Sequence, residues 1–600
     1  MKKNKTMKRS CLKNKHMDIN NSISVSFDLK KLNYCRMNTT KLILFLAVFA
    51  LLGSCQKYDN INPNVPGENS IIPPSMLLNR VEFEMVDGPG LVDGQAGSIT
   101  EMPFGTFGSN IWHYSQFLIS NDTYYGGLNT YAWSNTAHTY NILKNIIEME
   151  NAAIKITKTT TNAYAVMGKF LRAYSFIWLT QRVGDVPMSQ AGKGLANPTP
   201  VYDTQHDVYK TCLALLDTAN MMVNQIVSDN GAAEGLGVLP FTGDIFGLNG
   251  GTNGINGLKQ WQKVINAYKL RVLISLSKKA NAADAADLNI TGQFNSIVSN
   301  PATYPLLTSN SDNLIFTYNA ANNPYPTIVS TNKNYANRQP LCSALLSLMD
   351  STQDPRTFVY ATPSYNQVKN KGKNVNDFKA YIGEHIDSTI TYLWTEEGLN
   401  NSSFANFHRY YTTSVGPAPG LPTSGDESKG TIIIGYPEMC FNIAEGMNRG
   451  WTSGTTSTYY MNGINASMKY FGVVDGDTLP SYDVTGSVYL GKVTFQLNNF
   501  LTSSKIVLSG DGSDLQKILN QKYVAFWMNS GWEAFYNWRR TGYPSSFVST
   551  SSLLNPKGQV PRRWQYPNSE ANYNTTNYQA ALKSQFGGTD DLFQDLWINK

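Results

Sequence analysis

Apolar residues recur at steps of three and four in several long stretches, the spacing that places them on one face of a helix. The clearest stretch is 162–181, where Ala163, Val166, Met167, Phe170, Leu171, Tyr174, Ile177 and Trp178 form a stripe. Gly184, Asp185, Val186 and Pro187 follow it and supply the glycine and proline that end helices. A second stretch, 203–227, aligns Val208, Cys212, Leu215, Ala219, Met222 and Ile226, with Asp203 as the expected N-cap. A third, about 258–283, places Trp261, Val264, Ile265, Tyr268, Val272 and Leu276 on its buried side. The same spacing predicts helices at 139–156, 341–350, 436–449, 458–471 and 515–532.

Between these helices lie Gly-, Asn-, Ser- and Thr-rich tracts at 229–257, 300–338, 360–432 and 474–513. Tracts of that length in a compact domain are usually functional or carry small strands. The β-like runs 431–434 and 489–494 predict minor hairpins there. No internal period appears by residue matching, so a regular solenoid is not expected. The pattern describes a mainly α body with an elaborate loop-rich face.

The amino terminus is patterned differently. Eleven apolar residues, Leu42 to Leu52, follow Lys41 and run into Gly53, Ser54 and Cys55. Eleven are too few for a bilayer core, which takes about 20. They read as the apolar region of a secretory signal. Leu52-Gly53-Ser54-Cys55 resembles a bacterial lipobox, in which the cysteine becomes the acylated first residue of the mature chain. Met37 stands at the normal distance upstream, so translation is expected to start there. The expected organisation is a leader and lipoprotein signal over 1–54, a lipidated Asn- and Pro-rich tether over 55–75, and one folded domain over 76–600.

This leader changes the meaning of the charge. The whole chain of 600 residues has 49 Lys and Arg against 43 Asp and Glu, a formal +6. Eleven of the basic residues and only Asp18 and Asp28 precede Cys55, which leaves 38 basic and 41 acidic residues after the leader, a net −3. A slightly acidic body with 15% charged residues lacks the basic footprint of nucleic-acid binding, and no nucleic-acid partner is expected. Cys212, Cys342 and Cys440 are odd in number and widely spaced, which gives no disulfide framework.

Catalytic signatures are absent: no HExxH, no GxSxG and no GxGxxG after a strand. Gly486 to Gly491-Lys492 approaches a phosphate loop, but Val493 stands where the magnesium-binding hydroxyl belongs. His113, His138, His206, His385 and His408 show no metal-ligand spacing. Glu396-Glu397 and Asp590-Asp591 are neighbours whose side chains point apart. No enzyme activity, cofactor or metal is expected.

Aromatic residues are the abundant material, with 34 Tyr, 26 Phe and 11 Trp. Sugar rings stack C–H faces on aromatic rings while their hydroxyls seek Asn, Asp and Arg. Two tracts offer that mixture. One contains Trp112, Tyr114, Asn121, Asp122, Tyr124 and Tyr125, and the other Tyr335, Asn337 and Arg338. These nine residues are the candidate ligand contacts.

Several further motifs, taken in chain order, resemble the SusD/RagB-like outer-membrane lipoproteins of Bacteroidetes. They are Phe170-Leu171-Arg172-Ala173-Tyr174 leading to Gly184-Asp185-Val186-Pro187, the run from Trp261 to Arg271, Asp354-Pro355-Arg356, Pro437-Glu438, and Ala444-Glu445 with Arg449-Gly450-Trp451. After them come Gln521-Lys522-Tyr523, Glu533-Ala534, Asn537-Trp538-Arg539-Arg540-Thr541-Gly542-Tyr543-Pro544 and Pro561-Arg562-Arg563. The resemblance implies TPR-like helix pairs as a scaffold and a long-loop, minor-β face for ligand. It also implies a surface-exposed lipoprotein of the outer membrane, anchored through acylated Cys55, that binds glycan or peptide nutrient for a SusC-like TonB-dependent transporter. A structural or adhesive surface lipoprotein and a glycan hydrolase are the alternatives. Arg172, Asp185, Glu445, Trp538, Arg539 and Arg540 are expected to be scaffold residues, with the two arginines bonding helix C-terminal carbonyls or buried carboxylates such as Glu438 and Glu445.

Overall fold

The computed structural model describes residues 72–87, 110–119, 137–229, 243–246, 254–317, 340–386, 388, 390–393, 395–406, 430–547 and 559–600. Cys55, the leader and most of the tether fall outside them. The principal helices are α1 (Pro74–Asp87), α2 (Asn110–Tyr114), α3 (Ala137–Thr157), α4 (Ala163–Val183), α5 (Gln205–Ser228), α6 (Gly254–Ser275), α7 (Ile290–Ser299) and α8 (Ser343–Thr352). They continue with α9 (Tyr436–Asn448), α10 (Thr456–Tyr470), α11 (Asp514–Ala525), α12 (Glu533–Thr541) and α13 (Thr575–Phe586). Two antiparallel two-stranded sheets pair β1 (Leu314–Phe316) with β2 (Thr431–Ile434), and β3 (Thr478–Tyr482) with β4 (Tyr489–Thr494). The fold is mainly α.

The caps show why the helices begin and end where they do. The Asn162 side chain accepts from Ala165 N–H at 2.9 Å and starts α4, and Gly184 at φ 96° ends it. For α5 the cap is Thr204, which accepts from Asp207 N–H, rather than the expected Asp203. Asp203 lies one residue too early, and its carboxylate instead accepts from Met188 and Ser189 N–H at 2.7 and 2.8 Å. That contact ties down the turn after Pro187. Helix α1 also begins inside the expected tether, with Pro74 at its first turn, where a missing N–H costs nothing.

Consecutive helices pack against one another along the chain: α3 on α4, α4 on α5, α5 on α6, and α9 on α10. Their apolar stripes meet in one large core. Phe170 of α4 stands 5.3 Å from Trp261 and 5.6 Å from Tyr268 of α6, and all three rings are buried. Each such ring contributes about 2–3 kcal/mol by leaving water.

Two expectations about elements change. The predicted helix 515–532 is broken into α11 and α12, and in the turn between them Asn529 and Ser530 bond to β2. Ser530 N–H donates to Ile432 O at 2.7 Å, and Ile432 N–H donates to Asn529 Oδ1 at 2.9 Å. Met528 and Ser530 take left-handed backbone at φ 53° and 57° to make that turn. The run 431–434 does not form a local hairpin, since its partner β1 is more than a hundred residues earlier in the chain. Run 489–494 does form one, with β3.

Candidate functional site

The carboxyl-terminal motifs assemble a buried ionic seam between α6, α9, α11 and α12. Arg271 on α6 donates through Nε to Glu438 Oε1 at 2.6 Å and pairs its Nη2 with Glu438 Oε2. The same Nη2 donates to Ile433 O, which holds β2. On α12, Arg540 holds Glu445 of α9 in a two-pronged grip at 2.5 Å by the salt-bridge contact and 2.9 Å by Nη2, and Lys522 of α11 stands 4.0 Å from Glu445. Burial alone would raise the Glu445 carboxyl, but the Arg540 guanidinium overrides it and holds the group at about 2. Burial, opposed by Glu445, pulls the Lys522 ammonium down.

Arg539 faces the other way. Its Nη1 donates to Gln181 O at the end of α4 at 2.8 Å and to Arg562 O at 2.9 Å, and burial pulls its guanidinium down to about 10. Arg356 is fully buried too, bonding Asp354 at 2.9 and 2.5 Å, Ser467 at 2.9 Å, and Gln521. Arg172 and Lys169 of α4 share Glu150 of α3. Trp538 stacks on Phe547 at 4.9 Å. Burial lifts Asp185 to about 7, although Gln205 N–H, which it accepts at 2.8 Å, works against the rise. All of these side chains are occupied with other parts of the protein. They make a rigid platform rather than a ligand surface.

Beside it, three strand-like segments meet. Leu118 bridges Leu341, Ile119 N–H donates to Pro340 O at 3.0 Å, and Cys342 N–H donates to Phe117 O at 2.9 Å. Pro340 in turn bridges Phe404, and Leu341 N–H donates to Ser403 O. A small hydrophobic cluster, separate from the main core, lies here: Ile119, Cys342, Ala344, Ile386 and Leu393, with Tyr392 and Phe547 packed on it. The tract after Ile119, the tract before Pro340, the tract after Asn406 and the tract after Phe547 therefore all have their described ends at one place. The β1–β2 pair gathers two further ends, with Phe316 opposite Thr431. Gly430 is needed there, because a Cβ on it would stand 1.8 Å from Phe316 O.

The candidate ligand residues divide between these regions. Trp112 and Tyr114 are only 2% and 3% exposed. Trp112 packs beside Phe117 at 6.1 Å, and Tyr114 stacks on Trp532 at 5.5 Å and meets Trp564 edge-on at 6.0 Å. This corrects the expectation that they stack on a sugar: α2 turns both rings inward, where protein rings cover them. Asn121, Asp122, Tyr124, Tyr125, Tyr335, Asn337 and Arg338 lie outside the described residues. Their tracts are nonetheless the ones rooted side by side at Ile119 and Pro340. The apolar runs Phe117-Leu118-Ile119 and Leu341-Cys342, which flank the polar tracts, were the signal for that junction.

Among the described residues no group of three or more His, Cys, Asp or Glu could hold a metal ion, and no helix is long and apolar enough to cross a membrane.

Comparison with known proteins gives the same architecture. A family model described as SusD-like, starch-binding and associating with the outer membrane matches residues 98–567. No curated protein matches. The crystal structure of a SusD homolog from Bacteroides fragilis is 27% identical at a TM-score of 0.69, covering 88% of this chain and 100% of that one. An outer membrane protein from Bacteroides vulgatus, whose description points to nutrient binding, is 26% identical at a TM-score of 0.64, with 88% and 100% covered. A chitin-binding protein shares the fold at a TM-score of 0.62 and 21% identity, with 88% and 99% covered.

Proposed function

The chain belongs to the SusD-like family of outer-membrane-associated, starch-binding proteins, and from that premise we propose that it captures oligosaccharide or polysaccharide at the cell surface without turning it over. It then delivers the glycan to a SusC-like TonB-dependent transporter. Acylated Cys55 anchors it to the outer membrane through the tether that ends at α1, and the folded domain is one body from there to the carboxyl terminus. Carbohydrate binding at the outer membrane is the general reading, and the relatives' descriptions support it.

One observation carries the placement of the ligand. The two tracts that mix Asn, Asp and Arg with tyrosine, 120–127 and 332–338, end on adjacent backbone at Ile119 and Pro340. Tracts that start from one junction can bring polar groups and rings from distant parts of the sequence to one glycan, which has polar edges and apolar faces. The second hydrophobic cluster holds both roots, through Ile119 and Cys342.

The test is retention on a panel of immobilised glycans by residues 56–600. Tyr124→Ala and Tyr335→Ala should each weaken binding about tenfold or more, the loss of roughly 1.4 kcal/mol of stacking, while the melting temperature stays put. Unaltered retention in the double variant would sink the placement. Co-purification of the full chain with a TonB-dependent transporter tests the delivery role.

A further inference from the structure

Gln181, Arg271, Glu533, Tyr536, Arg539 and Asn599 are among the residues that line a small cavity where the end of α4, the end of α6, α12 and the carboxyl-terminal tail meet. Its free space is about 10 Å³, which is room for one water molecule. The wall is unusual for a protein interior because several of its polar atoms have no protein partner. Gln181 Oε1, Arg539 Nε and Asn599 Nδ2 are all buried and bond to nothing in the chain, on residues 2%, 2% and 3% exposed. The Tyr536 hydroxyl, which the Arg182 guanidinium approaches, is a fourth polar group on the same wall. Each such group left dry costs about 1–3 kcal/mol, so the natural expectation is that something fills the space.

We infer that this cavity is a binding site for one internal water molecule, which joins the carboxyl-terminal tail to the end of α4 and to Arg539. The donor and acceptor count selects water over an ion. Arg539 Nε and Asn599 Nδ2 can only donate, and Gln181 Oε1 can only accept. A water takes two hydrogen bonds and gives two, so it satisfies all three atoms and has one bond left for the Tyr536 hydroxyl. A halide would meet the two N–H groups but would face the Gln181 carbonyl oxygen. A cation would find one carboxyl, Glu533, which burial pushes toward its protonated form, against the guanidinium groups of Arg271, Arg539 and Arg540. The other arginines of the wall already hold carboxylates, Arg271 with Glu438 and Arg540 with Glu445, and so do not call for a free anion.

The consequence is local. Residues 597–600 are held by Ile598 N–H on Gln205 Oε1 at 3.0 Å and by Lys278 Nζ on Asn599 O at 2.8 Å, and the water supplies the attachment of the Asn599 side chain. Asn599→Leu removes a donor and fills the space, so it should expel the water and leave the fold in place.

Crystals of the 56–600 protein, grown with and without sodium bromide, give the first test. The expected result is a single well-ordered peak within hydrogen-bonding distance of Gln181 Oε1, Arg539 Nε and Asn599 Nδ2, with no anomalous signal for bromide. An anomalous peak, or a cavity that is empty or closed, would overturn the inference. In solution, oxygen-17 relaxation dispersion should show one long-lived water fewer in Asn599→Leu than in the unaltered protein, and equal numbers would overturn it as well. The conservative Asn599→Gln, which keeps an amide donor, should retain the signal.

Discussion

The ionic seam and the loop roots are held together by opposite means. Around Glu445 and Arg540 the protein buries full charges from helices distant in sequence and pairs each with a fitted partner. Around Ile119 and Pro340 it uses backbone bridges and five buried apolar side chains. Buried pairs are costly to break but add little net stability over an apolar core, so their value is in fixing one arrangement of helices. Backbone bridges fix only where a tract starts and leave its sequence free.

The largest effect should come from breaking the seam. Glu445→Ala strands Arg540 and Lys522 without their carboxylate, and Arg449, which also reaches Glu445 at 2.8 Å, loses its partner. The expected loss is about 3–5 kcal/mol in urea unfolding. The pH dependence has a definite sign. Glu445 is held at about 2 in the folded protein, below its ordinary 4.5, so its contribution is full above 4.5 and fades as pH falls toward 2. Glu445→Ala should remove that acid limb, and an unchanged limb would show that other carboxylates set it.

Arg539→Ala comes next. It removes charged hydrogen bonds to the buried Gln181 O and the half-buried Arg562 O, at a cost of about 2–3 kcal/mol. An unchanged melting temperature would count against its role in holding α12 to α4. Ile119→Ala tests the other region at a cost of about 2 kcal/mol, the low end for a small cluster that can relax. The comparison predicts that glycan retention falls in Ile119→Ala but survives in Arg539→Ala at temperatures where both are folded.

The sequence made these two regions legible to different degrees. The scaffold was readable because helical spacing and the Asn537 to Arg540 run each point to a physical role, and Arg539 and Arg540 do take a helix-end carbonyl and a buried carboxylate. Partner choice was not readable: Glu438 goes to Arg271, since pairing across 167 residues depends on how α6 lies against α9. Trp112 and Tyr114 misled because an aromatic, polar-flanked run has the same composition whether its rings face a sugar or a core. The break at 526–531 was hidden because its cause is β2, almost a hundred residues away. Local signals name the elements, whereas long-range pairing decides which face each presents.

Asp185 turns the comparison around, being a buried acid on the scaffold that accepts one N–H bond, from Gln205, instead of holding an arginine. With a folded value of about 7 against an ordinary 3.8, the folded state keeps its proton longer than the unfolded chain does. Stability from this group is therefore greatest below 3.8 and declines as pH rises toward 7. Asp185→Asn keeps the acceptor for Gln205 and abolishes the decline. It should match the unaltered protein near pH 4 and exceed it by about 2 kcal/mol at pH 8. Equal unfolding free energies at pH 8 would show that the carboxylate is hydrated where it stands.

His206 marks the mild end of the same scale, where charges meet at the surface. Its Nε2 faces Asp287 at 2.8 Å and its Nδ1 faces Asp207 at 3.2 Å. Both nitrogens can donate only when the ring is protonated. Partial burial lowers its affinity for the proton, but hydrogen bonds to the two aspartates outweigh this and raise it above the ordinary 6.5. The contribution is thus complete below 6.5 and lost as pH rises through the folded value. Water screens the site, with the ring 22% and the Asp287 side chain 46% exposed, so less than about 1 kcal/mol is at stake. His206→Gln should cost stability at pH 5.5 and nothing measurable at pH 8.5. The histidine ring proton followed by NMR should titrate above 6.5 and return to the ordinary range in Asp287→Asn. A ring that titrates normally in the unaltered protein would mean that even the start of α5 is held by packing against Trp597 rather than by charge.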